Sequence, residues 1–196
     1  LLAETPERFQ VEALTGNRNA NAMIRLAQTL RPAYVAMTDP AAAAAVQDGL
    51  AGLGIEVASG DAAILAAAAR PSDWVMAAIV GAAGLAPTLA AAERGATVAL
   101  ANKESLVCAG HLLTATAHQA GGRLLPVDSE HNAIFQVFDS GRPASVHSII
   151  LTASGGPFRT WSLAEMKAAT AQQALRHPNW DMGAKITIDS ATMFNK

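Results

Sequence analysis

A single cysteine, Cys108, stands among 196 residues, which leaves no partner for an internal disulfide and fits a reducing compartment. With no second thiol near it in sequence, it reads as packing rather than chemistry. Aromatic residues are scarce at 5%, and charged residues reach only 15%. The net charge of −2 offers no electrostatic footprint for nucleic acid or for an anionic membrane. A phosphate-bearing partner must therefore be gripped locally, by a few placed residues. Residues 75–92 carry no charge, but Gly81, Gly84 and Pro87 interrupt them, so they read as a buried strand running through a turn into a core helix. No apolar run follows a basic start, because Glu4, Glu7 and Arg8 open the chain. An initial methionine is also missing, and both ends read as cut.

What the chain has is apolar mass, 51% of it, enough for a sizeable core and too much for disorder. Apolar runs at residues 10–14, 33–37, 74–80 and 97–101 predict strands, with a weaker one at 55–58. Alanine-rich stretches at 21–30, 40–53, 61–70, 85–94 and 104–120 predict helices, with Asp39 and Asp61 placed as caps or first-turn acids. This alternation implies α/β architecture, a parallel sheet covered on both faces. Ligands then bind beyond the carboxyl ends of the strands. Gly121-Gly122 marks a seam between a domain at 1–122 and a second at 123–196. The second is expected to hold strands at 123–127, 146–153 and 185–188, a helix at 130–138, and a long polar loop in which Ser162 and Glu165 form a capping box.

Four polar clusters follow predicted strands. Asp128 and Glu130, two apart, can reach one ion through hard oxygen donors suited to Mg²⁺ or Mn²⁺. A helix start with an acidic first turn would look the same, and His131 beside them fits a helix surface or a supporting role. Asn102-Lys103-Glu104-Ser105 can hold a phosphate or polarise a hydroxyl, or can simply cap a helix. Ser154-Gly155-Gly156 suits close backbone approach to an anion, or a plain turn. The loop from His177 through Trp180 and Met182 to Gly183 is either a lid or a segment packed back on its domain. Ser190, Asn195 and Lys196 repeat the anion theme with a hydroxyl, an amide and an ammonium.

Read in order, the segments at 75–91, 100–107, 125–136, 154–159 and 177–196 resemble the 1-deoxy-D-xylulose 5-phosphate reductoisomerase family across essentially the whole chain. The resemblance implies a Rossmann-like NADPH-binding domain followed by a truncated α/β catalytic domain. It implies conversion of 1-deoxy-D-xylulose 5-phosphate to 2-C-methyl-D-erythritol 4-phosphate in non-mevalonate isoprenoid synthesis. Asp128 and Glu130 would ligate Mg²⁺ or Mn²⁺. Lys103, Ser129 and Glu130 would meet the reacting end of the substrate. Ser154, Ser190, Asn195 and Lys196 would hold its phosphate end, with His177 also in contact. Arg18, Asn19, Asn102, Glu104 and Gly183 would serve NADPH, and Trp180 and Met182 the lid.

The family pattern also implies a Gly-rich phosphate turn before Leu1, a third carboxylate ligand after Lys196 and a helical C-terminal domain. Asn17 stands where the family usually has glycine, a position whose turn asparagine tolerates. A homodimer in the bacterial cytoplasm is expected, and a plastid stays compatible with the sequence once a leader is removed. Two other readings are a metal-independent NAD(P)-linked oxidoreductase and a non-enzymatic sugar-phosphate binding module.

Overall fold

The structure is a computed structural model and describes residues 2, 4–179 and 183–190. It divides into two compact units, Leu1–Val127 and Asp128–Lys196. The division falls after Val127 rather than after Gly122, because β6 (Arg123–Pro126) pairs in parallel with β5 (Thr97–Leu100) and belongs to the first unit.

Caps and small residues set the first unit. Asn19 accepts a hydrogen bond from the Ala22 amide and opens α1 (Ala20–Leu30). Asp39 does the same for Ala42 at α2 (Pro40–Gly49), where Pro40 occupies the first turn. β1 (Ala13–Gly16), β2 (Tyr34–Met37) and β3 (Glu56–Ser59) pair in parallel in that order. Every residue of β2 is buried, and its side chains alternate between two cores. Val35 and Met37 pack with α1 and α2, while Tyr34 and Ala36 pack with Ala63, Ile64 and Ala67 of α3 (Asp61–Ala69). Helices on both faces make this a doubly wound α/β arrangement.

β4 (Trp74–Ala77), β5 and β6 form a second parallel set of three, and β4 does not pair with β1. The expected sheet is therefore present as two three-stranded sheets. α4 (Leu85–Glu93) and α5 (Glu104–Gln119) share a core with Val98, Leu100, Leu113 and Ala117. α5 bends at Ala109, whose backbone leaves helical geometry at φ −148° and ψ 36°.

The second unit departs more from expectation. α6 (Ser129–Val137) starts one residue early. Residues 146–153 form no strand, because no partner strand exists for them among the described residues, and Ile149 and Ile150 stay exposed. Residues 185–188 lie inside a helix, α9 (Ala184–Ser190), not a strand. Their β-branched side chains favour a strand, but a helix satisfies its backbone locally. Thr187 N–H donates to Gly183 O, and Lys185 pairs with Asp189 at 2.7 Å. The polar loop carries two short helices, α7 (Leu163–Lys167) and α8 (Ala171–Ala174), each with a full capping box. Ser162 holds the first; its hydroxyl, then its backbone N–H, donate to Glu165 and keep that carboxyl below its usual pKa.

Candidate active site

In the first unit the polar residues gather at the carboxyl ends of the strands, as the fold requires. The turn after β1 is fastened by Thr38 N–H donating to Gly16 O and Asp39 N–H donating to Asn17 O. Arg31 alone among the described non-glycine residues has positive φ, so Asn17 fits this turn without left-handed backbone. Asn19 spends its side-chain oxygen on the α1 cap. Arg18 projects outward, 83% exposed, with Nε 4.0 Å from Asp39 Oδ2. That leaves a guanidinium in solvent beside two helix starts.

After β5, Asn102 is 2% exposed and Ser105 is fully buried. Asn102 Nδ2 donates to the carbonyls of Ile79 and Gly81, at 2.5 and 2.9 Å. Its Oδ1 accepts from the Ser105 amide at 2.9 Å and from the Ser105 hydroxyl. Lys103 and Glu104, half-buried, lie between these two anchors at the start of α5. Ser105 was legible as part of the motif, but its burial was not.

In the second unit, Asp128 occupies the N-cap position of α6 yet makes no side-chain capping bond, and Glu130 lies in the first turn. Ser129 Oγ donates to Glu130 Oε2 at 3.1 Å. Two carboxylates with hard oxygens at one helix start suit Mg²⁺ or Mn²⁺, which accept few protein ligands and complete their shell with water or substrate oxygens. No group of three or more candidate ligands occurs among the described residues. His131 lines a recess of 270 Å³ with Ile134, Phe135, Phe138 and Ser140.

The residues expected at the phosphate end do come together. Ser154 Oγ accepts from Gly156 N–H at 3.2 Å and donates to Ser190 O at 3.2 Å. His177 Nε2 lies 3.4 Å from the same oxygen. Asn179 N–H donates to His177 Nδ1, so in the neutral ring Nε2 carries the proton and points it at Ser154. Ser190 is 6% exposed and its hydroxyl donates to Thr187 O. Gly155 and Gly156 adopt φ of 73° and 58°, which frees the backbone for this tight turn. Gly183 is exposed just before α9. Trp180, Met182, Asn195 and Lys196 lie outside the described residues.

A doubly wound unit with polar turns at its strand ends, followed by a unit bearing paired carboxylates and a serine–histidine cluster, defines a Rossmann-like α/β protein. Residues 1–110 match the family model of 1-deoxy-D-xylulose 5-phosphate reductoisomerase, and residues 124–196 that of its C-terminal domain. The chain belongs to this family. It is 59% identical over all 196 residues to the reductoisomerases of Bradyrhizobium sp. (strain BTAi1) and Rhodospirillum centenum, covering 48% and 49% of them. The reductoisomerase of Zymomonas mobilis in complex with NADPH superposes with a TM-score of 0.90 at 49% identity, covering 99% of this chain and 50% of that one. A reductoisomerase in complex with NADPH, fosmidomycin and magnesium gives 0.86 at 41% identity, with 99% and 50% covered. The chain thus spans about half the length of the relatives it matches.

Proposed function

We propose that this chain is the cofactor- and metal-binding part of an enzyme that isomerises 1-deoxy-D-xylulose 5-phosphate and reduces it with NADPH to 2-C-methyl-D-erythritol 4-phosphate. The observation that carries this reading is the match of the whole chain to reductoisomerases, among them solved structures in complex with NADPH and with magnesium. Arg18, Asn19, Asn102, Glu104 and Gly183 form the NADPH set, Asn102 through its place in the turn that presents Glu104 rather than through its side chain. The exposed Arg18 guanidinium supplies planar, permanently charged donors for a 2′-phosphate. Asp128 and Glu130 hold Mg²⁺ or Mn²⁺, and such an ion supplies Lewis-acid stabilisation of charge on substrate oxygens.

The chain's own residues then orient the reactants. Ser129, through its bond to Glu130, fixes that carboxylate and presents its oxygen to the substrate. The Lys103 ammonium donates to the hydroxyl and carbonyl end. Ser154, His177 and Ser190, with Asn195 and Lys196, grip the phosphate, with the His177 Nε2–H held toward Ser154 Oγ. Trp180 and Met182 are assigned to a lid by the family resemblance, and a lid of that kind would exclude water. The working form is a homodimer in the bacterial cytoplasm. The net charge of −2 supports a small-molecule partner rather than nucleic acid, and no described helix is long and apolar enough to cross a membrane.

The test is NADPH consumption by a protein of the relatives' full length carrying this sequence, given the sugar phosphate and Mn²⁺ or Mg²⁺. Asp128→Asn and chelation should each lower turnover by about a hundredfold or more, as expected when a metal's charge stabilisation is lost. Turnover insensitive to chelation would favour a metal-independent oxidoreductase. Ligand binding with no NADPH consumed would favour a binding module.

A further inference from the structure

The Asn102 side chain has no hydrogen-bonding capacity left for a ligand. A carboxamide offers two N–H donors and an oxygen with two lone pairs. Here both donors go to the Ile79 and Gly81 carbonyls, and the oxygen takes the Ser105 amide and hydroxyl. The orientation is fixed by its partners, since carbonyls only accept and a backbone amide only donates. The surroundings are built to this bond set. A Cβ on Gly84 would lie 2.7 Å from Asn102 Nδ2 and 2.5 Å from Ile79 O, so only glycine leaves room. Thr88, 3% exposed, donates its hydroxyl to Gly84 O at 2.6 Å and pins that glycine in place. The Asn102 amide donates to Ala77 O at 2.8 Å, which ties the residue to the end of β4.

We propose that Asn102 is a positioning residue whose side chain never touches NADPH. It straps the turn after β4 to the first turn of α5 and so fixes Lys103 and Glu104. Those two residues lie between Asn102 and Ser105, the two ends of the shortest link in the strap. The inference rests on the functional reading above for what Lys103 and Glu104 do, but not for the strap itself.

The test uses the full-length protein with Asn102→Ala, Asn102→Asp, Gly84→Ala and Ser105→Ala. Asn102→Asp would face a carboxylate against two carbonyls, and Ser105→Ala removes one bond while sparing the fold. A positioning role predicts that kcat falls by about 10- to 100-fold in the Asn102 and Gly84 variants, as a displaced reacting group does, and less in Ser105→Ala. Any rise in KM for NADPH, which would come through a displaced Glu104, should appear equally in Gly84→Ala, where the Asn102 carboxamide is still present. A large rise in KM for NADPH at unchanged kcat in Asn102→Ala, with Ser105→Ala silent, would make Asn102 a direct cofactor contact and overturn the proposal. So would a loss of thermal stability with kcat per folded molecule intact. Hydrogen exchange gives a readout that needs no turnover: the Ser105 and Gly84 amides should lose protection by about tenfold or more in Asn102→Ala, as local opening predicts. Unchanged protection would refute the strap, whereas a wild-type protein that consumes no NADPH would refute only the functional reading.

Discussion

Arg70→Ala is expected to destabilise the first unit by about 2 kcal/mol. Arg70 follows α3 and reaches across the start of the first sheet. Its Nε lies 2.6 Å from Glu12 Oε1, with the two side chains 31% and 25% exposed. A charge-assisted bond at that burial contributes roughly 1 kcal/mol, above the usual surface pair and below a fully buried one. The second contact, to Glu56 at 3.6 Å, involves a carboxylate 65% exposed and adds at most a few tenths of a kcal/mol. The guanidinium also stacks 4.9 Å from the centre of the Tyr34 ring, which is itself 4% exposed. That desolvated contact adds on the order of 1 kcal/mol. Urea unfolding of the 196-residue chain, followed by circular dichroism, should show the midpoint falling by about 1 M, given the usual slope for a chain of this size. Arg70→Lys keeps the charge but loses the planar fork and the stack, and should recover less than half. Midpoints of both variants within about 0.2 M of wild type would refute the assignment of these contacts as stabilising.

Arg18→Ala should erode the preference for NADPH over NADH by about 10- to 100-fold while leaving NADH kinetics unchanged, because only the 2′-phosphate loses a partner; steady-state kinetics with both cofactors checks this. Ser154→Ala removes the oxygen shared by Gly156, His177 and Ser190. It should lower kcat/KM for the sugar phosphate by roughly 10- to 100-fold, the range for a hydrogen bond to a charged group, with KM for NADPH little changed.

The sequence made the first unit legible because its signals are local. β2 is four consecutive buried residues, and Asp39 and Pro40 announce α2. The larger boundary errors there are β1, which runs from Ala13 rather than from residue 10, β4, which ends at Ala77 rather than residue 80, and α2, which ends at Gly49 rather than residue 53. Residues 146–153 and 185–188 misled for a physical reason: β-branched composition reports a preference for strand, while a strand exists only where another chain segment meets it. α8 was missed although Thr170 and Gln173 carry the same spacing as Ser162 and Glu165. The candidate site was legible as residue types after strands. The gathering of Ser154, His177 and Ser190 was not, since it depends on a fold-back across more than thirty positions. Nor was the saturation of Asn102, which requires two carbonyls from the turn after β4 and a serine from the first turn of α5.

Among the described residues, no apolar side chain beyond Ala117 belongs to the buried core. The second unit is ordered instead by capping boxes, a salt bridge and the bonds around Ser154. Such bonds trade against water nearly evenly, so each opens at a small free-energy cost and independently of its neighbours. Order in that unit is therefore granular: a collection of short closures, each with its own lifetime, where the first unit has shared apolar cores. On the proposed reading, a phosphate that engaged several of these closures at once would add the cooperativity they lack by themselves, so that binding and local folding would become the same event.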